Sequence, residues 1–191
     1  FAFCCRGQAA IALPMKTELK IGFLGAGKMA TALAQGFEQA GLVRASSLLA
    51  SDVVETARKS FAREVGARIA KSNADVVRAA EIVVLAVKPA QVADVLAEVK
   101  EQFGRDRLLI SIAAGVPLAR LEAALPARAK VIRVMPNTPA LVGASASAFS
   151  TGRWATRDDA DLAQRLFSAV GMAIELPERL LDAVTGLSGS G

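Results

Sequence analysis

Gly25, Gly27 and Ala30 follow directly on a short apolar run, Ile21, Phe23 and Leu24. Residues Thr31 to Ala40 then carry helical spacing and stop at Gly41. A strand that runs into a small-residue turn and then a helix is a device for holding anions. Gly25 permits the sharp turn out of the strand. Gly27 has no Cβ, so a diphosphate can approach the backbone, and Ala30 lets helix and strand pack closely. The start of the helix adds free N–H groups and a partial positive charge. The chemistry this predicts is dinucleotide binding at Leu24, Gly25, Ala26, Gly27, Lys28 and Met29. The plain structural alternative is a tight strand-to-helix turn without a ligand.

Other residues extend that chemistry. Asp52 closes the next apolar run, Ser47 to Ser51. A carboxylate there binds a ribose 2′-hydroxyl and repels a 2′-phosphate, favouring NAD(H), or else it caps the following helix. Ser51 and Arg58 are the groups that could instead receive the 2′-phosphate of NADP(H). Lys88 follows the run Glu81 to Val87 and could meet cofactor phosphates or a substrate carboxylate; otherwise it is a solvated residue beside Pro89. Asn137 and Thr138 lie between Pro136 and Pro139 in a rigid loop. They could hydrogen-bond a carboxamide or a ribose, or serve plain turn chemistry. Ala113, Ala114 and Gly115 bring no reactive side chain, only close backbone approach to a flat ring.

The sequence contains no histidine, which excludes a Ser–His–Asp triad and His-ligated metals. Its two cysteines are the adjacent Cys4 and Cys5, which suits neither a structural clamp nor a zinc site. No metal is expected, and no catalytic side chain is assigned. The cofactor would do the difficult step, and hydride transfer to a protonated imine fits best, because that carbon is already electrophilic.

The elements needed to position these residues alternate between strand and helix. Strands are predicted at about 20–24, 47–51, 66–70, 81–87, 108–112, 130–135, 144–149 and 172–176. Helices are predicted at 31–40, 52–64, 73–80, 89–100, a short one from Pro117, and 157–169. Runs such as Glu81 to Val87 and Leu108 to Ile112 are nearly continuous in apolar residues, as strands covered on both faces are. The fold class is α/β: a doubly wound Rossmann-type domain with a mostly parallel sheet. The loops at the carboxyl ends of its strands, including Ala86, Val87, Lys88 and Pro89, should form one groove.

Residues 1–15 differ in character from the rest of the chain and are expected to be a leader or non-native segment, with Met15 the start of the native chain. Residues 16–177 are assigned to the dinucleotide domain. Residues 178–191, read as a helix at 178–187, are assigned to the start of a truncated helical domain, with an exposed apolar surface at Leu180, Leu181 and Val184. At 53% hydrophobic, the chain can bury a large core. Its net charge of +5 is scattered, with one Trp and no Tyr for base stacking, which argues against nucleic acid. No apolar run reaches the length of a membrane helix.

Several stretches in collinear order resemble pyrroline-5-carboxylate reductases. They are Ile21 to Ala30, Ala86 to Pro89, Ser111 to Val116, Val131 to Ala140 and Asp182 to Gly191. The resemblance implies reduction of 1-pyrroline-5-carboxylate to L-proline with NADPH or NADH, the last step of proline biosynthesis. It also implies an all-α C-terminal domain that makes a homo-dimer or larger homo-oligomer and supplies most of the substrate pocket, and a cytoplasmic setting is expected. By motif match, Leu24 to Met29 would hold the diphosphate and Asn73 would lie by the adenosine. Ala86 to Pro89 and Ala113 to Gly115 would line the path to the nicotinamide, and Asn137 to Pro139 would sit near the reacting end. This chain alone would bind cofactor without turnover. The alternatives are a β-hydroxyacid dehydrogenase-type oxidoreductase and a non-catalytic nucleotide-sensing module.

Overall fold

A computed structural model describes residues 19–189. The expected leader at residues 1–15 lies outside the described residues. The chain begins with β1 (Ile21–Leu24), α1 (Lys28–Gln39), β2 (Leu48–Ser51), α2 (Glu55–Val65), β3 (Arg68–Ile69), α3 (Asn73–Ala79) and β4 (Ile82–Leu85). It continues with α4 (Val92–Val99), β5 (Leu108–Ser111), α5 (Leu118–Ala124) and β6 (Lys130–Met135). It closes with β7 (Ser145–Thr151), α6 (Arg157–Ser168), β8 (Gly171–Glu175) and α7 (Leu181–Val184).

The strands form one sheet in the order β3-β2-β1-β4-β5-β6-β7-β8. All neighbours are parallel except β6 and β7, which pair antiparallel. The mostly parallel, doubly wound sheet expected from the sequence is therefore present. The strand order reverses between β1 and β4, where ligands of such sheets bind.

β1, β2, β4 and β5 are buried at every position. Helices cover both faces of them, so their side chains need no polar alternation. Phe37, Phe61, Leu166 and Phe167 pack α1, α2 and α6 on one face. Val76, Leu96, Val99 and Leu121 pack α3, α4 and α5 on the other. The Phe37 and Phe167 rings meet edge to face at 6.1 Å, a favoured aromatic arrangement that ties α1 to α6. A methyl group on Gly22 would run into Val76, so glycine in β1 lets α3 settle close to the strand.

Three expectations about elements need correction. The second helix begins at Glu55, not Asp52, because Asp52 and Val54 remain extended or turned and the Asp52 side chain bonds elsewhere. The helix expected from Pro89 opens as a 3₁₀ turn over Pro89–Gln91 before α4. The helix expected over 178–187 is broken into a 3₁₀ turn (Glu178–Leu180), the single turn of α7, and a wide π turn (Thr185–Gly189). Gly186, Ser188 and Gly189 are weak helix formers and cannot hold a regular run there. Leu181, expected on an exposed apolar surface, is fully buried, and Val184 is half-buried; Leu180 is exposed as expected.

Candidate functional site

The turn after β1 takes its shape from its neighbours. Gly25 has φ +100°, and a Cβ there would lie 2.7 Å from the Ala86 carbonyl oxygen. Only glycine both adopts that conformation and tolerates the contact. The Gly25 N–H donates to the Ser51 carbonyl (2.8 Å), and the Ala86 N–H donates to the Leu24 carbonyl (2.8 Å). The ends of β2, β1 and β4 are thus laced together beneath the turn.

Gly27 is different in kind. It caps α1 in an extended conformation, makes no side-chain hydrogen bond, and a Cβ on it would meet nothing within 4 Å. The first intrahelical bond of α1 runs from the Thr31 N–H to the Gly27 carbonyl (3.0 Å). The N–H groups before Thr31 precede that ladder, and the first turn carries no acid. This open cradle at the start of a 12-residue helix fits the diphosphate of a dinucleotide.

Two hollows extend from the cradle along the carboxyl ends of the strands. One, of about 370 Å³, is lined by Gly25, Gly27, Ser51, Asp52, Asn73, Ala86, Val87 and Lys88, with Gln91 and Val95 from the α4 side. The other, of about 310 Å³, is lined by Met29, Ala86, Val87, Lys88, Pro89, Ile112, Ala113, Ala114 and Met135, with Asn137 and Thr138. They share Ala86, Val87 and Lys88 and together make one groove. A third hollow, lined by Ala26, Gly27, Lys28 and the facing side of α2, opens on the other side of the cradle. The structure thus gathers most of the sequence-predicted residues. Leu24 is buried beneath the turn, and Gly115, with φ +71°, stands exposed outside both hollows.

The polar groups of the groove are held in place. The Ser51 hydroxyl donates to Asn73 Oδ1 (2.6 Å), and Asn73 Nδ2 donates to Glu98 Oε2 (2.7 Å). Asn137 Oδ1 accepts from the Ser145 hydroxyl (3.0 Å) and the Ala146 N–H (3.0 Å). The oxygen of that amide is occupied, which leaves its NH₂ as the group to meet a ligand. Asp52 Oδ2 accepts from the Ala26 N–H (2.8 Å) and Oδ1 from the Val54 N–H (2.8 Å). It does not cap α2, whose N-cap is Val54.

Sequence reasoning passed over Arg133. It is buried in β6 at 3% exposure and forms ion pairs with Glu178 (3.2 Å) and Asp182 (2.6 Å). Glu178 also accepts from the Leu118 N–H (2.6 Å). The signal was a cation set between Val131-Ile132 and Val134-Met135, which must find acids once buried. Away from the groove, burial alone would raise the Asp159 carboxyl, but hydrogen bonds from Thr156 and the Lys130 ammonium outweigh it and hold the group below its ordinary value. Among the described residues, no cluster of acids or cysteines is arranged to hold a metal, and no helix is long and apolar enough to cross a membrane.

A strand order reversing over a glycine cradle defines a dinucleotide-binding fold. Residues 20–115 match the family described as NADP oxidoreductase, coenzyme F420-dependent, and the chain belongs to that family. It is similar to the pyrroline-5-carboxylate reductase of Methanosarcina acetivorans, at 49% identity over 90% of this chain and 64% of that protein. The pea (Pisum sativum) enzyme of the same name is 42% identical over 90% of this chain and 62% of its own length. A solved pyrroline carboxylate reductase of Plasmodium falciparum with NADP bound superposes with a TM-score of 0.82, at 30% identity, over 91% of this chain and 63% of that one. The chain therefore spans somewhat less than two thirds of the length of these relatives.

Proposed function

We propose that this chain is the cofactor-binding part of an enzyme that reduces 1-pyrroline-5-carboxylate to L-proline with NADPH or NADH. The groove carries the reading. It runs from Ser51 and Asp52 past the backbone donors of the α1 start to Asn137, and Lys88 is the titratable side chain lining its far end. Walls of Ala, Pro, Met and Ile suit a reaction whose carbon is electrophilic before the protein acts. When bound, the dihydronicotinamide supplies a hydride to the imine carbon, and the ring nitrogen keeps its proton as L-proline forms.

The residues of this chain bind and orient. The turn from Gly25 to Met29 forms the diphosphate cradle, with its free donors from Gly27 onward, and Ser51, Asp52 and Asn73 stand at the adenosine end. Ala86, Val87, Pro89, Ala113 and Ala114 exclude water along the path to the ring. The Asn137 NH₂ offers a donor to a carboxamide or carboxylate oxygen, and the Lys88 ammonium faces phosphate or carboxylate. As the resemblance implies, the proposal includes a homo-dimer or larger homo-oligomer, a cytoplasmic location, and negligible turnover by these 191 residues alone.

The test joins this chain to the remaining C-terminal part of the Methanosarcina acetivorans relative. Micromolar binding of NADPH or NADH by calorimetry and formation of L-proline from 1-pyrroline-5-carboxylate are expected of the chimera, with binding alone for the isolated chain. A chimera that binds cofactor yet forms no proline would overturn the substrate assignment.

A further inference from the structure

The amide groups of the glycine turn are divided between two tasks. Gly25 donates back to the Ser51 carbonyl, and Ala26 donates to the Asp52 carboxylate. From Gly27 onward the turn faces the open cradle. Asp52 is itself gripped at both ends. Its second carboxylate oxygen is taken by the Val54 N–H, and its carbonyl accepts from an Arg58 guanidinium nitrogen (2.6 Å). Each Asp52 oxygen already accepts one backbone N–H, so a ribose diol would have to share oxygens whose direction the turn and β2 fix.

We propose that Asp52 is a positioning residue that clamps the glycine turn to the end of β2, and that it does not select between the two nicotinamide dinucleotides. The proposal rests on the reading of this groove as a dinucleotide site. Ala26 precedes the cradle by one residue, so fixing its N–H fixes the direction of the next peptide groups before any ligand arrives. Pre-aimed donors bind an anion without the cost of ordering the loop. Arg58 contributes by holding the Asp52 backbone while the side chain reaches across to β1.

The roles separate by measurement. In the cofactor-free chain, hydrogen exchange at the Ala26 amide should be slow, and Asp52→Ala should make it fast. An unprotected Ala26 amide in the parent chain would overturn the clamp whether or not the chain binds any dinucleotide. Calorimetry of Asp52→Ala and Asp52→Asn with NADPH and with NADH supplies the second arm. Loss of a charge-assisted bond to the loop should weaken both cofactors by a common factor of about ten for Ala and by less for Asn, which keeps one acceptor. The NADPH-to-NADH affinity ratio should stay within about twofold of the parent. A ratio that shifts strongly toward NADPH would make Asp52 the ribose ligand. A folded variant with lowered melting temperature and unchanged affinity for both would reduce it to a plain stabiliser. If the parent chain binds neither dinucleotide while its Ala26 amide is protected, the site assignment fails and the clamp stands.

Discussion

The middle of the sheet and its β8 edge handle apolar side chains in opposite ways. Around β1, β2 and β4 every strand residue is buried, and polar groups gather where the strands end, from Ser51 onward. At the outer edge, β8 buries Ala173 but leaves Met172 at 65% and Ile174 at 51% exposure. Met172 and Ile174 alternate with Ala173 along β8, so they lie on the face opposite the one that packs into the core with α6. A strand built this way is suited to a second covering layer. Among the described residues, the strands under the groove are covered on both faces, and β8 on one.

The largest effect that would sharpen this contrast is expected at Gly25. Gly25→Ala meets the Ala86 carbonyl and a positive φ together, and should cost about 2–4 kcal/mol in a urea titration. Gly27→Ala, two residues on, points its methyl into open space and should leave stability within about 0.5 kcal/mol while still weakening cofactor binding. Equal destabilisation by the two variants would show that the cradle at Gly27 is closed rather than open.

Next comes the buried cation. Glu178→Ala leaves Arg133 with the exposed Asp182 as its partner, and should cost about 2 kcal/mol and speed hydrogen exchange over 178–184. A neutral result would mean that Asp182 and the buried Leu181 suffice to hold the C-terminal segment.

Asp159 gives a smaller, pH-dependent effect. Its folded-state carboxyl is held below the ordinary value, so its contribution is complete above the unfolded value and fades as pH falls through the folded one. Asp159→Ala should lower stability by about 1 kcal/mol near neutrality, and the difference should shrink below about pH 4. A difference that grows on acidification would contradict this sign. The smallest change in stability, within about 0.5 kcal/mol, is expected for Met172→Lys with Ile174→Thr. That pair should lower light scattering at high protein concentration, and unchanged scattering would show that the bare face of β8 does not drive self-association.

Local rules carried the sequence reading far. Apolar runs gave the strands, Gly25 and Gly27 gave the turn, and the carboxyl-end loops gave the groove. What escaped depends on register between distant strands. The Asp52 contact with Ala26 needs Leu24 set opposite Ser51, which neither segment specifies by itself. The burial of Leu181 depends on α7 docking over the sheet, a tertiary outcome that overrides the look of an exposed apolar helix. Arg133 was visible as an anomaly, but its partners Glu178 and Asp182 lie in an element whose helical pattern breaks up.

The strand order also has a kinetic side. From β4 to β8 each strand pairs with the next in sequence, whereas β1 joins β4 by bringing Ile21 beside Ile82, the most distant pairing in the sheet. Closing that long loop is the entropically slow step, so the groove, which straddles this seam, should form late. Trp154 sits just past β7, with the Arg128 and Arg153 guanidinium groups over its ring at 5.5 and 5.2 Å, at the edge of the sheet opposite the carboxyl ends of the parallel strands. In stopped-flow refolding its emission should settle before the chain gains the ability to bind dinucleotide. Simultaneous recovery of the two signals would mean that the seam closes with the rest of the sheet.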